Sequence, residues 1–217
     1  MINADFTKRA LVRPSDAPWT PSPMPGVDRR MLDRVGEETA RATSIVRYAP
    51  DSAFSSHSHD LGEEYLVLDG VFTDEDGDHG VGAYVRNPPG SSHTPSSAPG
   101  TTIFVKLRQF DPDDRAHVVV DSADPAAFAA DSVWKADVAP LHDDDRETVR
   151  RARWAAEAPV ALPAAGGIEL LVLGGALVEG GETLPTGSWL RLPAGEALAA
   201  TAGPDGADLG VKILAIS

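Results

Sequence analysis

Hydrophobic residues recur along this chain in short runs, with polar residues gathered between them. Residues 42–48, 64–72, 82–86 and 101–110 are brief stretches rich in Val, Ile, Tyr and Phe, side chains that suit a pleated, half-buried surface. Between them lie DEDGD at 74–78 and NPPG at 87–90, where Asp, Gly, Asn and Pro favour tight turns. The pattern predicts strands joined by hairpins. Ahead of it, prolines at 14, 18, 21, 23 and 25 forbid a helix and leave an extended arm, which Trp19 is expected to pin to the body. Segments 123–130 and 144–153 are each read as no more than a helical turn.

The pattern occurs twice. EYLVLDGVF at 64–72 matches ELLVLGGAL at 169–177, and GAYVRNPPG at 82–90 matches GSWLRLPAG at 187–195. Both matches carry the same offset of 105 residues, so the hairpin between them keeps its length. VRYA at 46–49 faces ARWA at 152–155 with a one-residue slip. A constant offset across separate motifs marks a duplicated β-unit, one copy near 19–110 and the other near 133–217. The expected domains are therefore 1–125, an N-terminal arm plus the first unit, and 126–217, the second.

Composition narrows the function. With 42% apolar residues in 217, a real core can be buried. A formal charge of −14 repels phosphate backbones and speaks against a nucleic-acid partner. The absence of cysteine excludes disulfides, thiolate zinc sites and a Cys nucleophile. MINADFTKRA has no apolar leader core, and no run approaches a membrane span; a cytoplasmic chain with no membrane partner is expected.

The chemistry gathers at histidine. In a strand, residues i and i+2 share a face, so His57 and His59 can aim both imidazoles at one point. Glu63 follows across a small turn at 60–62, and His93 returns beyond NPPG. Three imidazoles and a carboxylate form an N3O donor set suited to Zn, Fe, Mn, Ni, Co or Cu, with coordination positions left open. His79, placed in an exposed hairpin, and His117 and His142 lack partners at ligand spacing and are read as structural or solvated. Asp74, Glu75, Asp76 and Asp78 lack the full loop and closing Glu of a calcium site, so a solvated turn is expected there.

The segment H57-S-H59-x3-E63-x6-G70, followed by G82-x5-P88-x-G90-x2-H93, resembles the two motifs of the cupin superfamily. The wording EEYLVLDGVFTDEDGDHGVGAYVRNPPGSSH is similar, more narrowly, to the ChrR-type cupins, whose relatives include anti-sigma factor domains and diketone or aryl-ketone dioxygenases. Two positions depart from the pattern: Asp51 stands where a glycine is usual, and Ser97 where an asparagine is usual. The resemblance implies an all-β, duplicated cupin (a bicupin of two β-barrel or jelly-roll units), with His57, His59, Glu63 and His93 as ligands of one divalent transition metal, Zn, Fe, Mn or Ni.

The second copy is an internal control. Adding 105 to each ligand position gives Leu162, Ala164, Ile168 and Leu198, none with a lone pair to donate; only the first unit is expected to hold metal. Arg47, Tyr84, Phe104 and Lys106 lie on segments approaching the barrel mouth and are the candidate substrate contacts. Strand alternation admits two registers, and the sequence does not fix the inward set. The resemblance implies a metal-dependent oxygenase acting on a small ketone or diketone. The alternatives are a stand-alone metal-bound sensor or regulatory module, and a metal-free structural bicupin. A small-molecule ligand is expected; a sigma-factor partner is not, because the Cys- and His-bearing helical domain of the anti-sigma relatives has no counterpart here. Edge strands and the arm are compatible with a homodimer.

Overall fold

Almost every hydrophobic run is a strand in the computed structural model, which describes residues 1–37, 39–163 and 165–215. The first strands are β1 (Ala10–Val12), β2 (Thr20–Pro21), β3 (Val27–Val35), β4 (Arg41–Tyr48), β5 (Ser52–Ala53), β6 (His57–His59) and β7 (Glu63–Asp74). Next come β8 (Gly77–Gly80), β9 (Ala83–Asn87), β10 (Ser91–His93), β11 (Ser96–Ser97), β12 (Thr101–Leu107) and β13 (Val118–Asp121). The remainder are β14 (Ala129–Asp131), β15 (Ala136–Asp143), β16 (Glu147–Trp154), β17 (Pro159–Leu162), β18 (Ile168–Glu179), β19 (Glu182–Pro185), β20 (Trp189–Leu192) and β21 (Leu198–Leu214).

Of the two segments read as helical turns, one is: Pro125–Ala127 forms a 3₁₀ turn capped by the Asp124 carboxylate, which accepts from the Ala126 N–H. The other is a strand. Val149, Ala152 and Trp154 of β16 are buried, and β16 pairs on both sides, with β15 and β21.

The chain divides into two compact units, Met1–Ala4 with Ala17–Ala123, and Asp5–Asp16 with Asp124–Ser217. Strand order in the first sheet is β13-β9-β7-β12-β4-β3-β2, and in the second β1-β20-β18-β21-β16-β15-β14. Read position by position, the two orders superimpose the halves of the sequence repeat, so the all-β fold is duplicated in topology as well as in text. The edge position exposes an asymmetry of connection. In the first unit β13, downstream of the repeat, covers β9 with Val118 opposite Arg86. Its counterpart in the second unit is β1, from the start of the chain, with Ala10 opposite Arg191. Residues 5–16 therefore complete the sheet of the second unit.

Glycine supplies the bend that both copies need. Gly70 has φ 71° and Gly175 φ 66°. A Cβ there would fall 1.9 Å from the Gly100 carbonyl oxygen and 2.2 Å from that of Gly206, respectively. Before Gly70, β7 pairs with β9 and β12; after it, with the hairpin strand β8. The glycine thus turns one long strand from sheet to hairpin.

Each unit has its own core. Val27, Val46, Tyr65, Val67, Phe72, Val85, Ile103 and Val105 fill the first. Trp154, Leu170, Leu184, Leu190, Leu209 and their neighbours fill the second, together with Leu162, Ile168 and Leu198. Those last three occupy the positions equivalent to His57, Glu63 and His93; Ala164 lies outside the described residues. Hydrocarbon stands where the first unit has its polar cluster. No helix among the described residues is long and apolar enough to cross a membrane.

Candidate metal centre

Strands β6 and β10 form a two-stranded ribbon in which His57 lies opposite His93 and His59 opposite Ser91. The i, i+2 spacing turns His57 and His59 to one side, and the turn ending in Ser91 brings His93 to the same side. Gly62, at φ 75°, reverses the chain after β6 and delivers Glu63 as the first residue of β7.

The side chains converge. His93 Nε2 is 3.0 Å from His59 Nε2 and 3.3 Å from His57 Nε2. Glu63 Oε2 is 3.3 Å from His59 Nε2 and 3.6 Å from His93 Nε2. Metal–nitrogen bonds of about 2.0–2.1 Å at right angles would separate neighbouring donors by about 3.0 Å, so the spacing fits one ion held on a face of its coordination shell. Among the described residues, the three histidines are the one group of potential ligands gathered tightly enough for this.

Electrostatics agree with the geometry. Burial, reinforced by His93 and His57, pushes His59 down to about 3, leaving its lone pair free for a metal. Burial also pushes Glu63 up to about 7, against the opposing pull of His93 and the Asn87 amide; Asn87 Nδ2 donates to Glu63 Oε2 at 3.4 Å. Burial lowers His93 as well, but Asp74 and Glu63 outweigh it and the net shift is upward. Donors crowded this closely repel or compete for protons until a cation is placed among them.

The far sides of the rings are held from behind. His57 Nδ1 lies 3.2 Å from the Ser55 carbonyl oxygen. Asp74 Oδ2 lies 3.5 Å from His93 Nδ1 and accepts from the Tyr65 hydroxyl at 3.3 Å, while Asp74 Oδ1 is 2.9 Å from His79 Nε2. This corrects two expectations. His79 is buried, not exposed, and Asp74, with a side chain 3% exposed, is no solvated turn residue. Hydrogen bonds from His93 and His79 overcome the burial of Asp74 and hold its carboxyl well below the usual carboxylate range. In sequence Asp74 is hidden among the turn acids of DEDGD, and no local signal sets it apart.

Both departures from the cupin pattern are accommodated. Asp51 takes φ 57°, the left-handed conformation that Asp tolerates better than most residues. Ser97 is buried and donates to the Val71 carbonyl at 2.6 Å.

A cavity of about 460 Å³ opens beside the cluster, within the usual size for a small-molecule site. His57, His59 and Glu63 line it, with Met31, Ser44, Val46, Tyr48, Phe54, Val105 and Leu107. None of the four expected substrate contacts lines this cavity. Arg47, Tyr84, Phe104 and Lys106 alternate onto the opposite face of the sheet. Arg47 is exposed and pairs with Asp28 at 2.7 Å; Phe104 is half-buried, beside Ile45 and Leu66 in register. The Tyr84 hydroxyl donates to Glu64 at 2.5 Å, and Lys106 Nζ to Thr43 at 3.1 Å. The second unit repeats this arrangement without the metal ligands: Trp189 Nε1 donates to Glu169 at 2.8 Å, with Arg191 and Lys212 opposite Glu169 as Arg86 and Lys106 are opposite Glu64. A network present in both copies belongs to the fold rather than to the chemistry of one.

Residues 7–111 match the family model of the ChrR cupin-like domain. No curated protein matches the chain. Among solved structures, a putative dioxygenase from Nostoc punctiforme is similar at TM-score 0.77 and 14% identity, over 94% of this chain and 82% of that one. The pirin YhhW of Escherichia coli in complex with nickel(II) is similar at TM-score 0.69 and 12% identity, over 96% and 100%. A cupin 2 conserved barrel domain protein from Leptotrichia buccalis is similar at TM-score 0.64 and 12% identity, over 99% of each chain.

Proposed function

We propose that this chain, whose residues 7–111 match the ChrR cupin-like domain, is a cupin whose first unit binds one divalent transition metal through His57, His59, Glu63 and His93 and acts as a metal-dependent oxygenase on a small ketone or diketone. The observation that carries this reading is the approach of the His59 and His57 ring nitrogens to within 3.0 and 3.3 Å of His93 Nε2 beside a 460 Å³ cavity. Similarity to a putative dioxygenase and to a nickel-bound pirin lends it support.

A divalent ion bound there would polarise a substrate oxygen as a Lewis acid. The chain's own contribution is placement and exclusion. The Ser55 carbonyl fixes the His57 ring, and Asp74 lies behind His93. Val46, Val105, Leu107 and Phe54 make a wall that favours the carbon skeleton of a ketone over water.

Elemental analysis of protein purified without chelators or affinity-tag metal is expected to find one divalent metal per chain. Anaerobic reconstitution followed by an oxygen-electrode screen, with pentane-2,4-dione first, is expected to show O2 consumption that needs the metal. Metal uptake without turnover of any ketone would return the sensor reading; no metal uptake would end both.

A smaller change probes the supporting carboxylate. Asp74→Asn keeps the shape but removes the charge facing His93 Nδ1 and His79. Loss of such a supporting contact lowers metal affinity by about 10–100-fold. Competition against a chromophoric chelator measures it, and unchanged affinity would remove Asp74 from the site.

A further inference from the structure

Three arginines line the cavity beside the histidines: Arg29, Arg34 and Arg108. Two are engaged. Arg34 donates to the Glu37 carbonyl, and Arg108 forms an ion pair with Asp60. The Arg29 side chain has no hydrogen bond or ion pair among the described residues. Its neighbours on β3 show that this is a property of its face. Arg30 lies over the Trp19 ring at 4.7 Å, and Asp28 holds Arg47; these point outward. Arg29, half-buried and of the same parity as Val27 and Met31, points inward, opposite Val46 in the adjacent strand.

A guanidinium with no protein partner at an apolar-walled cavity is available to an anion, and its planar fork of donors matches a carboxylate. In a protein of charge −14, an anion needs such a local cation to enter. One guanidinium suits a monoanion; with Glu63 and Asp60 lining the same space, a dianionic phosphate is disfavoured. Resting on the metal reading above, we propose that the substrate is a small oxo acid whose carboxylate is held by Arg29, while its ketone oxygen faces His57, His59 and Glu63. Tyr48 lines the same cavity as Glu63 and Arg29, so one space holds both the cation and the ligand cluster.

The test is a calorimetric titration of metal-reconstituted and chelator-treated protein with acetoacetate and with pentane-2,4-dione, which share a skeleton and differ in the carboxylate. Wild type is expected to bind acetoacetate about tenfold or more tighter than the dione, the worth of one charge-assisted contact. Arg29→Gln is expected to erase that preference and leave dione binding unchanged, and Arg29→Lys to restore part of it. Arg47→Gln, on the opposite face, is expected to alter neither. Part of the preference is expected to survive in chelator-treated protein, because the guanidinium needs no metal; a chain that takes up no metal yet keeps it would sink the metal reading and spare this one. Equal binding of acid and dione, an acid preference that persists in Arg29→Gln, no binding of acetoacetate to either form, or tighter binding of inorganic phosphate would each overturn the proposal.

Discussion

Replacing His93 with alanine is expected to abolish tight metal binding while leaving the first unit folded. His93 Nε2 is the hub of the cluster, 3.0 Å from His59, 3.3 Å from His57 and 3.6 Å from Glu63. Its removal takes away one donor of four, and the loss should exceed the roughly hundredfold that even an outer supporting contact can cost. The fold has other anchors. The first core is built from Tyr65, Val67, Phe72, Val85 and Ile103, and Asp74 keeps Tyr65 and His79 as partners. Glu63, pushed up to about 7 by burial, can take a proton when no cation is present. The expected result is metal content near zero after dialysis, with a circular-dichroism spectrum like wild type. An alanine variant that retains stoichiometric metal at wild-type affinity would remove His93 from the ligand set, and with it the basis of the proposed chemistry.

The ease with which this site is read from sequence has a physical cause. His57, Ser58 and His59 are consecutive, and Glu63 and His93 sit beside turns marked by Gly62 and by NPPG, so local rules suffice to bring them near one another. The duplication is equally legible, because Gly70 and Gly175 fill a bend where any Cβ collides with backbone. Long-range parity is another matter. Whether Arg47 or Tyr48 faces inward depends on which of two parities packs against the core. Strands β4 and β12 alternate without a break, but the extra residues Leu32 in β3 and Leu68 in β7 keep that parity from being carried over from the neighbouring strands. A single step of parity separates the expected contacts at Arg47, Tyr84, Phe104 and Lys106 from the observed wall of Val46, Tyr48, Val105 and Leu107. The role of β1 is hidden for a different reason. Its three residues complete a sheet whose other strands begin more than a hundred residues later, and no local signal says which edge they join.

Cutting Leu198 to alanine is expected to destabilise the second unit by about 2–5 kcal/mol, the usual cost of emptying a well-packed leucine site, without changing the metal content of the first. Leu198 is 1% exposed and stands opposite Leu162 in the β17–β21 pair. It fills the space that its counterpart His93 occupies in the other copy, among neighbours that offer only hydrocarbon. The two positions therefore differ in kind: His93 joins the imidazole cluster of the first unit, whereas Leu198 packs the core of the second and can bind no ion. Tryptophan fluorescence during urea denaturation reports the effect selectively, because Trp134, Trp154 and Trp189 belong to the second unit and Trp19 alone to the first. Leu198→His tests the converse. Leu162 and Ile168 supply no lone pair beside the new imidazole, so it is expected to gain no metal and to leave a polar ring buried without partners, at a cost at least comparable to the alanine change. A Leu198→Ala protein within about 1 kcal/mol of wild type would show that this core is not close-packed, and a second equivalent of metal in Leu198→His would show that the second barrel keeps ligands the duplication is inferred to have lost.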